Sequence, residues 1–170
     1  MASELRVDRI IPVNGVPTGG GGGIIQVVSA STSTEVTNAT STYVDTGLTA
    51  TITPTSASSK VLVLITQQYY YTRNSTAQGI GIRIYRDTTL VYDPLSNATG
   101  PLEDYMSIGN ITSLIYYSTF NRSILDSPNT TSAVTYKTQG RPFLTAGSAV
   151  FQPPNVVNGT SIINLIEVSG

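Results

Sequence analysis

The residues best suited to chemistry are acidic and aromatic. Glu103 and Asp104 form an adjacent acidic pair. A glycoside hydrolase needs two carboxylates facing each other across the scissile bond, one with a raised pKa. Neighbours on an extended segment point apart, and Thr99-Gly100-Pro101 before them reads as loop. A solvated turn therefore outweighs a catalytic pair. Asp87, Asp93 and Asp126 stand beside threonine, proline or serine, where aspartate caps turns. Such loops leave a calcium site open, although no EF-hand spacing occurs. Tyr69-Tyr70-Tyr71 and Tyr116-Tyr117 have the chemistry to stack on a sugar. On a strand, Tyr69 and Tyr71 share one face and Tyr70 takes the other. Cores and subunit interfaces also use large aromatics, and that reading is the stronger one. Asn-X-Ser/Thr triplets begin at Asn38, Asn74, Asn97, Asn110, Asn121, Asn129 and Asn158. In a chain this rich in Asn, Ser and Thr they read as turn and loop chemistry rather than glycan acceptors. Thr18 and Gly19 to Gly23 lack the Lys and Ser/Thr of a phosphate loop, since Ile24 and Ile25 follow.

Composition narrows the chemistry further. The chain has no histidine and no cysteine. That removes the commonest general base, the commonest metal ligand, and all disulfide and thiol chemistry. No cofactor and no metal are expected, and no catalytic residue stands out. The net charge is −1, so there is no basic field for nucleic acid or an anionic membrane. Charged residues make up 11%, low for a lone soluble domain, which suggests life inside an assembly. The start, Met1-Ala2-Ser3-Glu4-Leu5-Arg6, does not read as a signal peptide, and no apolar stretch approaches a membrane span.

The elements that position these residues read as strands. The 170 residues suit one domain, and strand formers outweigh helix formers. The organising stretch is Thr46 to Tyr71, read as strand, turn, strand. Leu48, Ala50 and Ile52 alternate with polar residues up to Pro54. Val61 to Ile65 is apolar at every position, so both faces must leave water. The domain core can cover one, and another copy of the chain can cover the other. Val61, Val63, Ile65, Tyr69, Tyr71, Tyr116 and Tyr117 are therefore expected in the core or a trimer interface.

Further strands are expected over Ile24–Ala30, Gly79–Arg86, Leu90–Tyr92, Ser113–Phe120, Ser132–Gln139, Ser148–Gln152 and Ser161–Val168. Asp87-Thr88-Thr89 and Leu125-Asp126-Ser127-Pro128-Asn129 read as turns, and Asp93 to Asn110 as mostly loop. Eight to ten short strands and no helical periodicity argue for an all-β sandwich or jelly roll. Residues 1–23 read as an attachment arm and tether, with 24–170 as the head. Leu5, Val7 and Ile10 alternate with polar residues, and Ile11 extends the run. These four are the candidate attachment residues, because an isolated strand must find a partner.

Several phrases carry a resemblance. Glu4-Leu5-Arg6-Val7-Asp8-Arg9-Ile10 before a Gly-rich tether looks like the N-terminal arm of tail-fibre-like and decoration-like virion proteins of tailed bacteriophages, notably cyanophages and other aquatic phages. The segments Tyr43–Pro54, Ser58–Val63, Leu125–Lys137 and Ser161–Glu167 resemble the β-sandwich head of such proteins. The resemblance covers most of the chain. It implies a homotrimeric, jelly-roll-like head on a virion, assembled in the host cytoplasm, with no catalytic residues. Its implied partners are its own copies, other tail or capsid proteins reached through the arm, and a host-surface glycan. The chain has no long shaft, which favours a short appendage over a long fibre. Two other classes stay open: a capsid decoration or head fibre, and a polysaccharide-binding or depolymerising sandwich.

Overall fold

The computed structural model describes residues 23–73, 77–94, 104–107, 114–143, 147–154 and 159–170. Leu5, Val7, Ile10, Ile11 and Glu103 lie outside them. All regular elements among the described residues are strands: β1 (Ile24–Thr32), β2 (Val36–Asn38), β3 (Val44–Ile52), β4 (Lys60–Arg73), β5 (Ala77–Arg86), β6 (Thr89–Tyr92), β7 (Asp104–Ser107), β8 (Leu114–Asp126), β9 (Val134–Pro142), β10 (Ala149–Phe151) and β11 (Ser161–Val168).

They form two antiparallel sheets. In the first, the 14-residue β4 is the centre. One edge of β4 pairs β11 along Lys60–Thr66 and β10 along Tyr69–Tyr71, and β8 runs along the other edge from Val61 to Arg73. β1 then pairs β11, and β2 pairs β10. The sheet thus has four lanes: β1/β2, β11/β10, β4 and β8. The second sheet runs β3, β9, β5, with β6 and β7 sharing the outer edge of β5. Successive lanes alternate between sheets except from β5 to β6/β7. Four lanes face four in a jelly-roll order.

The expectation of strand, turn, strand over Thr46–Tyr71 is corrected in one respect. Both strands exist, but they do not pair. β3 lies in the second sheet against β9, and β4 in the first. A hairpin needs a tight connection, whereas residues 53–59 carry the chain across the sandwich between layers roughly 10 Å apart. Two boundaries also move. Leu125 and Asp126 end β8 rather than open a turn, because β8 pairs β4 along its whole length. Asp104 begins β7, paired with Ile80, inside a stretch read as loop. The turn at Asp87 is present, with a positive φ of 51° at Asp87, and leads into β6. Gly23 is tied to Ser169: its N–H donates to Ser169 Oγ, and its carbonyl accepts from the Ser169 N–H.

The core lies between the sheets. Leu48, Ala50 and Ile52 enter from β3, Ile80, Ile82 and Ile84 from β5, and Val134 and Tyr136 from β9. Val61, Val63, Ile65, Tyr69 and Tyr71 meet them from β4, all at most 3% exposed, with Ile163 and Leu165 from β11. Tyr116 packs half-buried on this cluster, its ring 5.3 Å from that of Tyr71. Period-2 burial along β3 and β9 is what a strand with one apolar face produces.

One polar seam crosses the core. Thr46, Gln67, Thr138, Gln152 and Ser161 are all fully buried. Thr46 Oγ1 sits 2.5 Å from Thr138 Oγ1 and accepts from Gln67 Nε2 at 2.7 Å. With its amide oxygen toward Ser161 and Gln67, Gln152 accepts from both at 2.9 Å and donates to the Thr46 carbonyl at 3.0 Å. Such a network tolerates little slippage of one sheet over the other, because each displaced group would lie buried without a partner.

Candidate interaction surfaces

The two outer faces differ in chemistry. On the first sheet, register places Val27 beside Ile166, Ile166 beside Leu62, and Leu62 beside Leu125. This is an unbroken aliphatic row across all four lanes. Val27 is 58% exposed and Leu125 57%, while Leu62 and Ile166 are half-buried. Ile115, Tyr117 and Ile162 are also exposed on this face. Tyr117 rests against Tyr70, ring centroids 5.0 Å apart. A recess of about 290 Å³ opens between β4 and β8 at Leu64, Thr66, Asn121 and Ser123.

The structure therefore divides the residues expected in core or interface. Val61, Val63, Ile65, Tyr69 and Tyr71 point inward, and Tyr117 points outward. The outward partners on β4 are Leu62 and Leu64, because successive side chains of a strand take opposite faces. β8 is an edge strand of 13 residues, and among the described residues only β4 pairs with it. Arg122 and Asp126 share its inward-facing register, a placement that discourages unspecific edge pairing.

The outer face of the second sheet is polar, cationic and aromatic. Outward positions of β9 are Lys137, Gln139 and Arg141. Tyr85 and Arg83 of β5 pair with Lys137 and Gln139, and Thr49 and Asp45 of β3 flank the other side. The Arg83 guanidinium lies 4.0 Å from the Tyr43 ring centroid and 5.0 Å from that of Tyr85. Arg141 lies 5.1 Å from the Tyr43 centroid. Arg83 Nε and Nη2 donate to Gln139 Oε1 at 3.2 and 3.0 Å. Gln139 Nε2 donates to Asp45 Oδ1 at 2.6 Å, and Lys137 Nζ to Asp45 Oδ2 at 2.8 Å. Partial burial would raise the Asp45 pKa, but the bonds from Lys137 and Gln139 outweigh it and hold the carboxyl below its ordinary value. Burial raises the Tyr43 pKa, against the opposing pull of Arg141.

A cavity of about 130 Å³ borders this network at Asp45, Gly47, Thr49 and Lys137. It forms where the β3–β9 register shifts between Asp45 and Thr49, around Gly47 with φ of +83°. Sequence reasoning did not single out Tyr43, Arg83 or Arg141. The available signal was the polar half of two alternating strands, Arg83-Tyr85 opposite Ile80-Ile82-Ile84 and Lys137-Gln139-Arg141 opposite Val134-Tyr136-Thr138.

The other singled-out residues fall into structural places. Asp126 joins Arg86 and Tyr136 at the mouth of the sandwich. Asp87 Oδ1 accepts the Thr135 N–H at 2.9 Å. Asn38 is buried and donates to the carbonyls of Thr42 and Gly140. Asn129 adopts φ of 53° in a turn. No group of three or more potential metal-ligating side chains occurs among the described residues.

No family model and no curated protein matches the chain. Solved structures of infectious bursal disease virus are similar to it at low identity. The Gx strain structure shares 13% identity over 84% of this chain and 39% of its own, with a TM-score of 0.37. The Gt strain structure shares 13% over 84% and 40%, with a TM-score of 0.33. The chain spans about two fifths of the length of these structures.

Proposed function

We propose that this chain is a non-enzymatic structural protein of a bacteriophage virion, a short homotrimeric appendage of tail-fibre or tail-tip type. The head contacts the host surface, and the arm bearing Leu5, Val7, Ile10 and Ile11 fastens it to other virion proteins. The observation that carries this reading is the exposed row Val27, Ile166, Leu62 and Leu125. A contiguous apolar strip on a small domain marks an association surface. Three copies around a closed axis bury it and leave no open end for further growth. The phage-like phrases of the sequence and the jelly-roll lane order support the virion setting, the latter by fold-level analogy.

A second reading, a capsid decoration or head-fibre protein, would use the same apolar row and the same arm. A density map of the intact particle separates the two locations. Native mass measurement of the full chain tests the assembly: a trimer of 18.0 kDa chains is expected. A stable monomer at micromolar concentration overturns it. Incubation with host envelope polysaccharide is expected to release no oligosaccharide, and reproducible cleavage overturns the non-enzymatic reading.

A further inference from the structure

We infer that the outer face of the second sheet binds an anionic saccharide, a sugar bearing a ring carboxylate, through the paired guanidinium groups of Arg83 and Arg141. The inference rests on the host-contact reading above and names the chemistry of that contact.

Asp45, the carboxylate within the grid, is already committed to Lys137 and Gln139. No salt bridge joins Arg83 or Arg141 to a carboxylate among the described residues. Asp93 is the acidic group whose charge acts on Tyr43, where the charges of Arg141 and Arg83 oppose it. Two cations therefore lie against the one Tyr43 ring, on a face where Asp45 is spoken for.

Geometry makes them a site. Each guanidinium is stacked against Tyr43, and Arg83 is also within reach of Tyr85. Stacking fixes the plane of the fork. Gln139 holds one edge of Arg83 by two bonds, and the Ser41 carbonyl accepts from Arg141 Nη1 at 3.3 Å. Among the described residues Arg83 donates through Nε and Nη2 and not through Nη1. Arg141 also acts on the Tyr43 hydroxyl by a side-chain hydrogen bond, and its Nε is buried, which holds the guanidinium in place. Preorganised forks of this kind recognise planar carboxylates bidentately and lose little entropy on binding.

The surroundings favour a sugar over a simple anion. Thr49 and Lys137 lie next to the grid and line the 130 Å³ cavity beside it, with donors a sugar hydroxyl could meet. The edges of Tyr43 and Tyr85 supply the apolar contact that a pyranose ring also needs. Gly81, paired with Arg141, adds no side chain and leaves the sheet low at that point.

The test is calorimetric titration of the full chain with a galacturonate oligomer, with neutral dextran and dextran sulfate as controls. Galacturonate is expected to bind and neutral dextran not to bind. R83Q/R141Q is expected to weaken binding at least tenfold. R83K/R141K, which keeps both charges and loses both forks, is expected to fall between. Failure of the parent to bind galacturonate overturns the inference. So does unchanged affinity in a folded R83Q/R141Q, or dextran sulfate binding as tightly as galacturonate, which marks a mere anion exchanger. Adsorption of labelled protein to host cells separates the two readings. Adsorption that survives R83Q/R141Q keeps host contact and removes this site. Saccharide binding without adsorption keeps the site and removes host contact.

Discussion

Arg86 of β5 and Asp126 of β8 join the two sheets across the mouth of the sandwich, Nη1 standing 2.5 Å from Oδ2. Tyr136 donates its hydroxyl to the same oxygen at 2.7 Å. Burial is the largest influence on the Tyr136 hydroxyl, and with the Asp126 carboxylate it pushes the pKa far above the ordinary value. Both charged side chains are under one-fifth exposed, so removing one leaves the other poorly solvated. Asp126→Ala is expected to cost about 1–3 kcal/mol in urea unfolding. R86A/D126A is expected to cost clearly less than the sum of its single changes. Strict additivity would show that the pair does not couple the sheets.

A second tie between the sheets is steric. The ring of Phe151 occupies the space where a side chain on Gly140 would begin. A Cβ there would stand 2.7 Å from Cε1 and 2.9 Å from Cε2. Gly140→Ala is therefore expected to destabilise the head by about 1–3 kcal/mol through overpacking. Adding Phe151→Leu is expected to recover part of that loss. A Gly140→Ala protein with an unchanged melting temperature would refute the close approach.

Acid sensitivity is expected from Glu167. Its side chain is fully buried and accepts from Gln26 Nε2 at 2.5 Å, the Thr55 N–H at 2.8 Å and Thr55 Oγ1 at 2.7 Å. Burial acts to raise its pKa, but the bonds from Gln26 and Thr55 win and lower it. A carboxyl lowered in the folded state stabilises fully above its unfolded pKa of about 4.3. That contribution disappears as pH falls through the lower folded value. The urea midpoint is expected to drop in that acid window, and Glu167→Gln to show a shallower drop from a lower starting stability. Parallel pH profiles for the two proteins would assign the acid loss elsewhere.

The aliphatic row makes a prediction about mass rather than stability. Leu125→Glu alters a 57% exposed side chain, so the fold is expected to change by no more than about 0.5 kcal/mol. The assembly is expected to fall to monomers, because a charge would be buried unpaired at each interface. A trimer that survives the change places the interface on another face.

Removing residues 1–22 tests the arm. Gly23 anchors to Ser169 and is retained. The expected product is a folded head with the parent's oligomeric mass that no longer joins particles. Incorporation at the normal copy number would put attachment in the sandwich.

The sequence by itself determined most of the longer strands and which of their side chains share a face, but not β2, β7 or the end of β8. Ile80, Ile82 and Ile84 or Ser161 to Val168 could be read because the strand period is two and local. It also determined the chemistry that is absent, since a chain without histidine or cysteine cannot supply those groups. Tertiary structure decided which strands pair. β3 and β4 follow one another yet sit in different sheets, because the β-ladder is satisfied by partners far along the chain, β9 and β8. It decided that Val61, Val63 and Ile65 are core while Leu62 and Leu64 face outward, which an unbroken apolar run cannot reveal. It alone brought Tyr43, Arg83 and Arg141 together, from three strand regions whose polar residues look, in sequence, like ordinary solvent-facing positions. Cross-strand neighbours are set by register, and register depends on the whole fold rather than on any one segment.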